Sequence, residues 1–388
     1  MSTRFSFSGA SVRSLVEPTV WCLLVSLWLA GCGPTAPRDF LSEVVPLADD
    51  PEIETDHDWC IPLEMPVWKS AADASFMRPD DPVVGIRTAQ GPYAIPWWVL
   101  KNHHVANLDL DGEEILVTLC EACSSAAAFD PRVDGQRLHF RIVGIQNGTH
   151  ILRDFETQTL WLSFLGTGKH GPHTGHQLKR RRVDQSSWAE WRELYPETQV
   201  AFAEESAREG HGSGHLPGTK RLGPNMKKTL KYQDDRLPRH DLILGVTVNG
   251  AERTYPMKAL TRQGSVLEDQ LGDLPIVVLH KPESFLAAAF SRNLNGTLLD
   301  FTQNDRGEIV DQQTGSIWNF AGIAKSGPLQ GSELEPVTYI MEEWFIWHTH
   351  HPQASLYSPS RPINRHVTGA IATSPGRSTH QPGSHLPQ

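Results

Sequence analysis

Hydrophobic and polar positions along this chain fall in short runs set between Gly, Asp and Asn, the pattern of strands separated by turns. The runs 83–88, 115–119, 137–143 and 160–165 carry β-branched or aromatic residues and predict strands. The strongest is 115–119, Ile-Leu-Val-Thr-Leu, entered through Asp111 and Gly112 and closed by Cys120; it predicts a buried strand. Two stretches change to helical spacing. Residues 96–101 place Pro96 in a first turn. Residues 187–195 begin at Ser187, put Trp188, Trp191 and Tyr195 on one face, and stop before Pro196. That aromatic face is expected in the core.

The pattern occurs twice. Asp81, Gly85, Pro96, Leu100 and Leu116 return as Asp241, Gly245, Pro256, Leu260 and Ile276, at a constant spacing of 160 residues. Further on the spacing drifts to 157 and then 156, as if a few loop residues had been lost. Asp154, Thr157 and Trp161 answer to Asp311, Thr314 and Trp318, and Trp188, Trp191 and Pro196 answer to Trp344, Trp347 and Pro352. Each unit is too long for a solenoid repeat, so the two predict pseudo-symmetric halves packed on one another. The expected fold class is α+β, predominantly β, as two tandem pseudo-symmetric β-rich halves with short helices.

Outside the halves the composition shifts. Residues 1–32 have Arg4 and Arg13 ahead of an apolar core too short to span a bilayer, ending in Leu29-Ala30-Gly31-Cys32. This resembles a lipoprotein signal with its lipobox, which implies cleavage before Cys32, diacylglycerol on its sulfur and acylation of the new amino group. Several acyl chains anchor a protein firmly. The expected place is the cell envelope, extracytoplasmic and membrane-attached through Cys32. Gly33 after the cysteine favours the outer membrane if the cell is double-membraned. Residues 33–79 predict a tether and approach segment, 80–203 and 240–357 the two halves, 204–239 a polar linker, and 358–388 a disordered tail. With a net charge of −10 over 388 residues, the chain lacks the basic face that a nucleic-acid binder needs. Protein partners are not legible.

Of five cysteines, Cys22 leaves with the signal and Cys32 takes the lipid, leaving Cys60, Cys120 and Cys123. Cys120 and Cys123 sit three apart at a strand end. They can hold one soft metal ion, close a redox disulfide, or serve only the fold. A metal needs more ligands, and His103, upstream at the preceding turn, is the candidate third. Two thiolates and an imidazole suit zinc or copper(I). His280 stands in the second half where Cys120 stands in the first, and reads as drift of the second copy. The histidines at 170, 173, 176, 350 and 351 read as surface residues. No Gly-x-Ser-x-Gly elbow, phosphate loop, dinucleotide fingerprint or His-Glu-x-x-His helix is present, so hydrolase, nucleotide and zincin chemistry have no positive support.

Taken together, Asp81 with Gly85, Tyr93 with Pro96, His103 with Asn107, the strand to Cys120, Asp154 with Thr157, Trp161, the glycines at 166, 171 and 175, and Trp188-Ala189-Glu190-Trp191 before Pro196 resemble domain-of-unknown-function family 3179. The resemblance covers both halves. It implies a His at position 103, an Asn-Asp pair near Asn107 and a Cys-Pro-Leu stretch at Cys120. Here Leu108 takes the place of that Asp, and Glu121-Ala122 the place of Pro-Leu. The family has no assigned reaction. Three readings therefore stay open: a metal or thiol site at His103, Cys120 and Cys123; a non-catalytic surface binding module with structural cysteines; and an enzyme using the thiolate.

Overall fold

A computed structural model describes residues 60–203, 216–219, 221–230 and 234–358. The signal, Cys32, most of the tether and the tail beyond 358 lie outside the described residues. Strands dominate, and the helices are short.

The duplication is visible as repeated strand order and register. In the first half one sheet runs Val183–Ser187, Pro82–Thr88, Gly91–Pro96, Gln199–Phe202 and Val67–Ser70. In the second half Thr338–Glu343, Leu242–Val248, Ala251–Pro256 and Ser355–Leu356 follow the same order. Val83 pairs with Pro96 as Ile243 pairs with Pro256, and Gln185 pairs with Val84 as Met341 pairs with Leu244. A second sheet holds the best strand, Glu113–Cys120, between Val105–Leu110 and Ser125–Phe129; its counterpart is Leu274–Lys281 between Val266–Leu271 and Leu286–Ser291. A third, four-stranded meander starts at Phe140–Gln146 in one half and at Phe301–Gln303 in the other.

The repeated residues explain why each half closes the same way. Asp154 accepts hydrogen bonds from the Thr157 backbone N–H at 2.5 Å and the Trp161 indole at 2.8 Å. Asp311 does the same for Thr314 at 2.7 Å and Trp318 at 2.9 Å. A buried carboxylate satisfied in this way fixes the turn and seats the indole in the core. Trp191 and Trp347 are fully buried and lie against Gly85 and Gly245, where any Cβ would overlap the ring. The aromatic face expected of residues 187–195 is thus core. Ser187 caps the helix Trp188–Leu194 by accepting from the Glu190 N–H.

The halves meet through strand and turn residues. Gln185 donates to Met341 O at 2.9 Å, and Ser125 donates to Glu342 at 3.0 Å. Arg182 bonds both Asp184, at 3.0 Å, and the Tyr339 hydroxyl, at 2.8 Å. Lys281 pairs with Glu190, and Arg87 pairs with Glu333 at 2.9 Å.

Two expectations shift. The fold proper begins before residue 80, because Val67–Ser70 adds an edge strand on Gln199–Phe202 and Leu63, Ala74 and Met77 are buried in the first-half core. An edge strand alternates half-buried and exposed residues, so it carries little of the apolar signal that a central strand does. The polar segment 204–239 also does more than link: it contains the helix Pro224–Thr229 and buries Leu222.

Candidate functional site

Cys120 ends its strand, Glu121–Cys123 form a 3-10 turn, and Ser124 takes a left-handed φ of 53°. This geometry brings Cys120 and Cys123 together as a disulfide, with Cα atoms 5.2 Å apart. Both are sealed, at 1 % and 0 % exposure, among Phe129, Phe140, Leu222 and Phe345. His103 turns elsewhere, its Nδ1 bonded to the Ile61 carbonyl at 2.7 Å. The adjacent His104 uses its Nδ1 on the Leu119 carbonyl at 3.0 Å. The His103, Cys120 and Cys123 metal site is therefore not assembled here, because a disulfide offers no thiolate. Among the described residues no group of three or more His, Cys, Asp or Glu side chains is placed to hold a metal ion. Asn107 is equally structural, bonding Phe140 N and O at 2.9 and 3.0 Å. Cys60 is a free, buried thiol, and burial pushes its pKa up to about 12, so it stays protonated.

The described surface has a cleft of about 570 Å³ elsewhere, between the crossing segment and the second half. Arg221, Arg239, His240, Lys258, Thr261 and His280 line it, and Leu242, Met257 and Phe285 supply apolar lining. Behind it lies a buried hydrogen-bond chain. The Gly218 N–H donates to Ser124 Oγ at 2.8 Å, and Ser124 donates to Glu343 Oε1 at 3.1 Å. Glu343 Oε2 meets His240 Nδ1 at 2.5 Å. Glu343 is fully buried, and that burial raises its pKa to about 8. Burial, with the positive charges of Arg221, Arg239 and Lys227, lowers the pKa of His240. Both shifts favour the arrangement in which the shared proton sits on the carboxyl. Glu343 then donates to Nδ1, which leaves His240 as the Nε2–H tautomer, a donor on a ring that lines the cleft.

Also on the lining, His280 Nδ1–H donates to the Leu286 carbonyl at 3.0 Å, and its Nε2 lies 3.2 Å from Thr261 Oγ1. Burial lowers the His280 pKa, so the ring is neutral and Nε2 is an acceptor. The Thr261 hydroxyl also reaches Met257 O at 3.0 Å. Lys258 pairs with Asp241 at 2.6 Å while remaining two-thirds exposed.

Comparison of the halves shows how the cleft arose. At the constant spacing of 160, His240, Lys258, Thr261 and His280 replace Asp80, Trp98, Lys101 and Cys120. In the first half this position is filled, with Trp98 and Cys120 buried. In the second, polar side chains stand around open space. Glu343 likewise occupies the N-cap place of Ser187, yet makes no cap bond to its own helix, Trp344–His350. A lost cap costs about 1 kcal/mol, and here the carboxyl turns instead to Ser124 and His240. His280 lines the cleft at the place that Cys120 fills in the first half. The signal in the sequence was the position-by-position difference between the two repeats, which singles out the other cleft residues as well.

The histidines at 170, 173 and 176 are half-buried, and the His173 and His176 rings lie beside Trp161 and 6.0 Å from one another. His351 stacks on Trp347 and bonds Glu252 at 2.7 Å.

The fold and site define a class: a duplicated, mostly β protein with one half sealed by a disulfide and the other opened into a cleft. Residues 59–354 match the model of the family described as a protein of unknown function, DUF3179. The chain belongs to that family. No curated protein and no solved structure matches it.

Proposed function

We propose that this is a lipid-anchored extracytoplasmic binding protein, in which Cys120 and Cys123 brace the fold and the ligand site is the second-half cleft. The observation that carries this reading is the sealed Cys120–Cys123 disulfide with His103 turned to Ile61. Sulfurs in that state neither ligate a metal nor attack a substrate. The lipobox at 29–32 supports membrane attachment through Cys32, in the outer membrane if the cell has two. Among the described residues no helix is long and apolar enough to cross a membrane.

The test is metal analysis with thiol counting on the full chain purified in detergent. The expected result is one free thiol, Cys60, revealed only on denaturation, and less than about 0.1 equivalent of zinc or copper. Three free thiols on denaturation with about one equivalent of metal would replace this reading with the metal one. Separately, Cys32→Ser is expected to abolish lipid labelling and release the protein from the membrane fraction; retained labelling refutes the anchor.

A further inference from the structure

We propose that the cleft recognises a small organic anion, an oxyanion head group such as a carboxylate or phosphate monoester carried on a short apolar body. The inference rests on the reading of the protein as a binding module and names what that module takes. Arg221, Arg239 and Lys258 bring three positive charges to one cleft, against the single carboxylate of Asp241, on a chain whose net charge is −10. Basic groups concentrated against that background focus the field for an anion. Directional donors join the charges. Arg239 offers a planar fork suited to a carboxylate or phosphate, Arg221 adds charge while one of its nitrogens donates to the Gly218 carbonyl at 3.1 Å, and His240 presents Nε2–H where Glu343 holds its Nδ1.

The Glu343 and His240 pair adds a response. An oxyanion beside the ring favours imidazolium, and the proton that balances the change is already in the pair. It passes from the Glu343 carboxyl to Nδ1, the Glu343 carboxylate stays bonded to Ser124, and no proton enters from solvent. The size and lining set the rest of the ligand. About 570 Å³ falls within the range of small-molecule sites, well above what a bare inorganic anion fills. Leu242, Met257 and Phe285 provide apolar contact for its body.

Titration calorimetry on the full chain in detergent tests this, with phenyl phosphate, benzoate, inorganic phosphate and the neutral isostere benzyl alcohol as probes. At least one aromatic anion is expected to bind, at least roughly tenfold tighter than inorganic phosphate, and benzyl alcohol is expected not to bind. Which aromatic anion binds tighter assigns the head group. Arg239→Gln, at an exposed position, is expected to weaken binding roughly tenfold while leaving the thermal melt unchanged. Binding is also expected to fall as salt rises.

Equal binding of benzyl alcohol, equal binding of inorganic phosphate, or no effect of Arg239→Gln overturns the proposal. So does the absence of binding by every probe at 10 mM, a concentration on the order of the weakest specific interaction. That last outcome with Cys120 and Cys123 still disulfide-linked overturns the ligand class alone. Metal-loaded thiols would overturn the binding-module reading instead.

Discussion

Gly85 and Gly245 are the residues on which each half closes, because each lies flat against a fully buried indole. Gly85→Ala or Gly245→Ala forces a methyl into Trp191 or Trp347, and each is expected to cost about 1–3 kcal/mol in denaturant unfolding; an unchanged midpoint would contradict the packing. Buried carboxyls give a second residue-scale effect. Burial raises the pKa of Glu342 to about 7 and that of Glu343 to about 8. Above pH 4.5 the unfolded chain releases these protons while the folded chain keeps them, so their contribution falls as pH rises and levels off near 7 and 8. His350, lowered to about 4 by burial and by His351 and His348, acts oppositely, since the unfolded chain takes up its proton below about 6.5. Buried His240, His280 and His348 are lowered as well and act as His350 does, so the carboxyl effect stands clear only above pH 7, where Glu343 alone still holds its proton. Stability is expected to decline from there to about pH 8 by up to roughly 1.4 kcal/mol per pH unit. Glu343→Gln should flatten the slope; a melt series with the same slope in wild type and variant would refute the assignment. At this scale the Gly-Trp and Asp-Trp pairs were legible because each appears twice in the sequence. The Glu343 and His240 pair was not, since it joins residues 103 positions apart in segments of no shared period.

The strand Glu113–Cys120, the turn after it and the crossing segment work as one element-scale unit. The strand was legible as an apolar run, and its end was legible as the place where the cysteines sit. Their oxidation state was not, because three-residue spacing serves a metal and a disulfide equally well. The segment 204–239 misled by composition. It has few apolar residues, but Leu222, Met226 and Leu230 reach the cluster around Cys123, and Gly148 N–H donates to Thr229 at 2.9 Å. Contacts supplied by another half leave no local period to read. The loop that the disulfide closes is short, so Cys120→Ala with Cys123→Ala is expected to cost only about 2 kcal/mol by chain entropy, measured in denaturant. No loss at all would mean the cysteines do not brace the fold.

For the molecule as a whole, duplication separates two demands that conflict in a single copy. One half keeps Trp98 and Cys120 as filling, and the other replaces them with Lys258 and His280 around open space. The fold class and the two-half plan were legible because repetition doubles every weak signal. The cleft was not, because its lining comes from single residues scattered between 217 and 285 that share no period. The central claim is that the cysteines hold and the cleft binds. It is tested most directly by measuring phenyl phosphate and benzoate affinity in three forms of the full chain: wild type, Cys120→Ala with Cys123→Ala, and Arg239→Gln. The prediction is that the cysteine variant binds within about twofold of wild type below its lowered melting temperature, while Arg239→Gln loses roughly tenfold. Binding that vanishes with the cysteines in a still-folded protein, and persists in Arg239→Gln, would contradict the account.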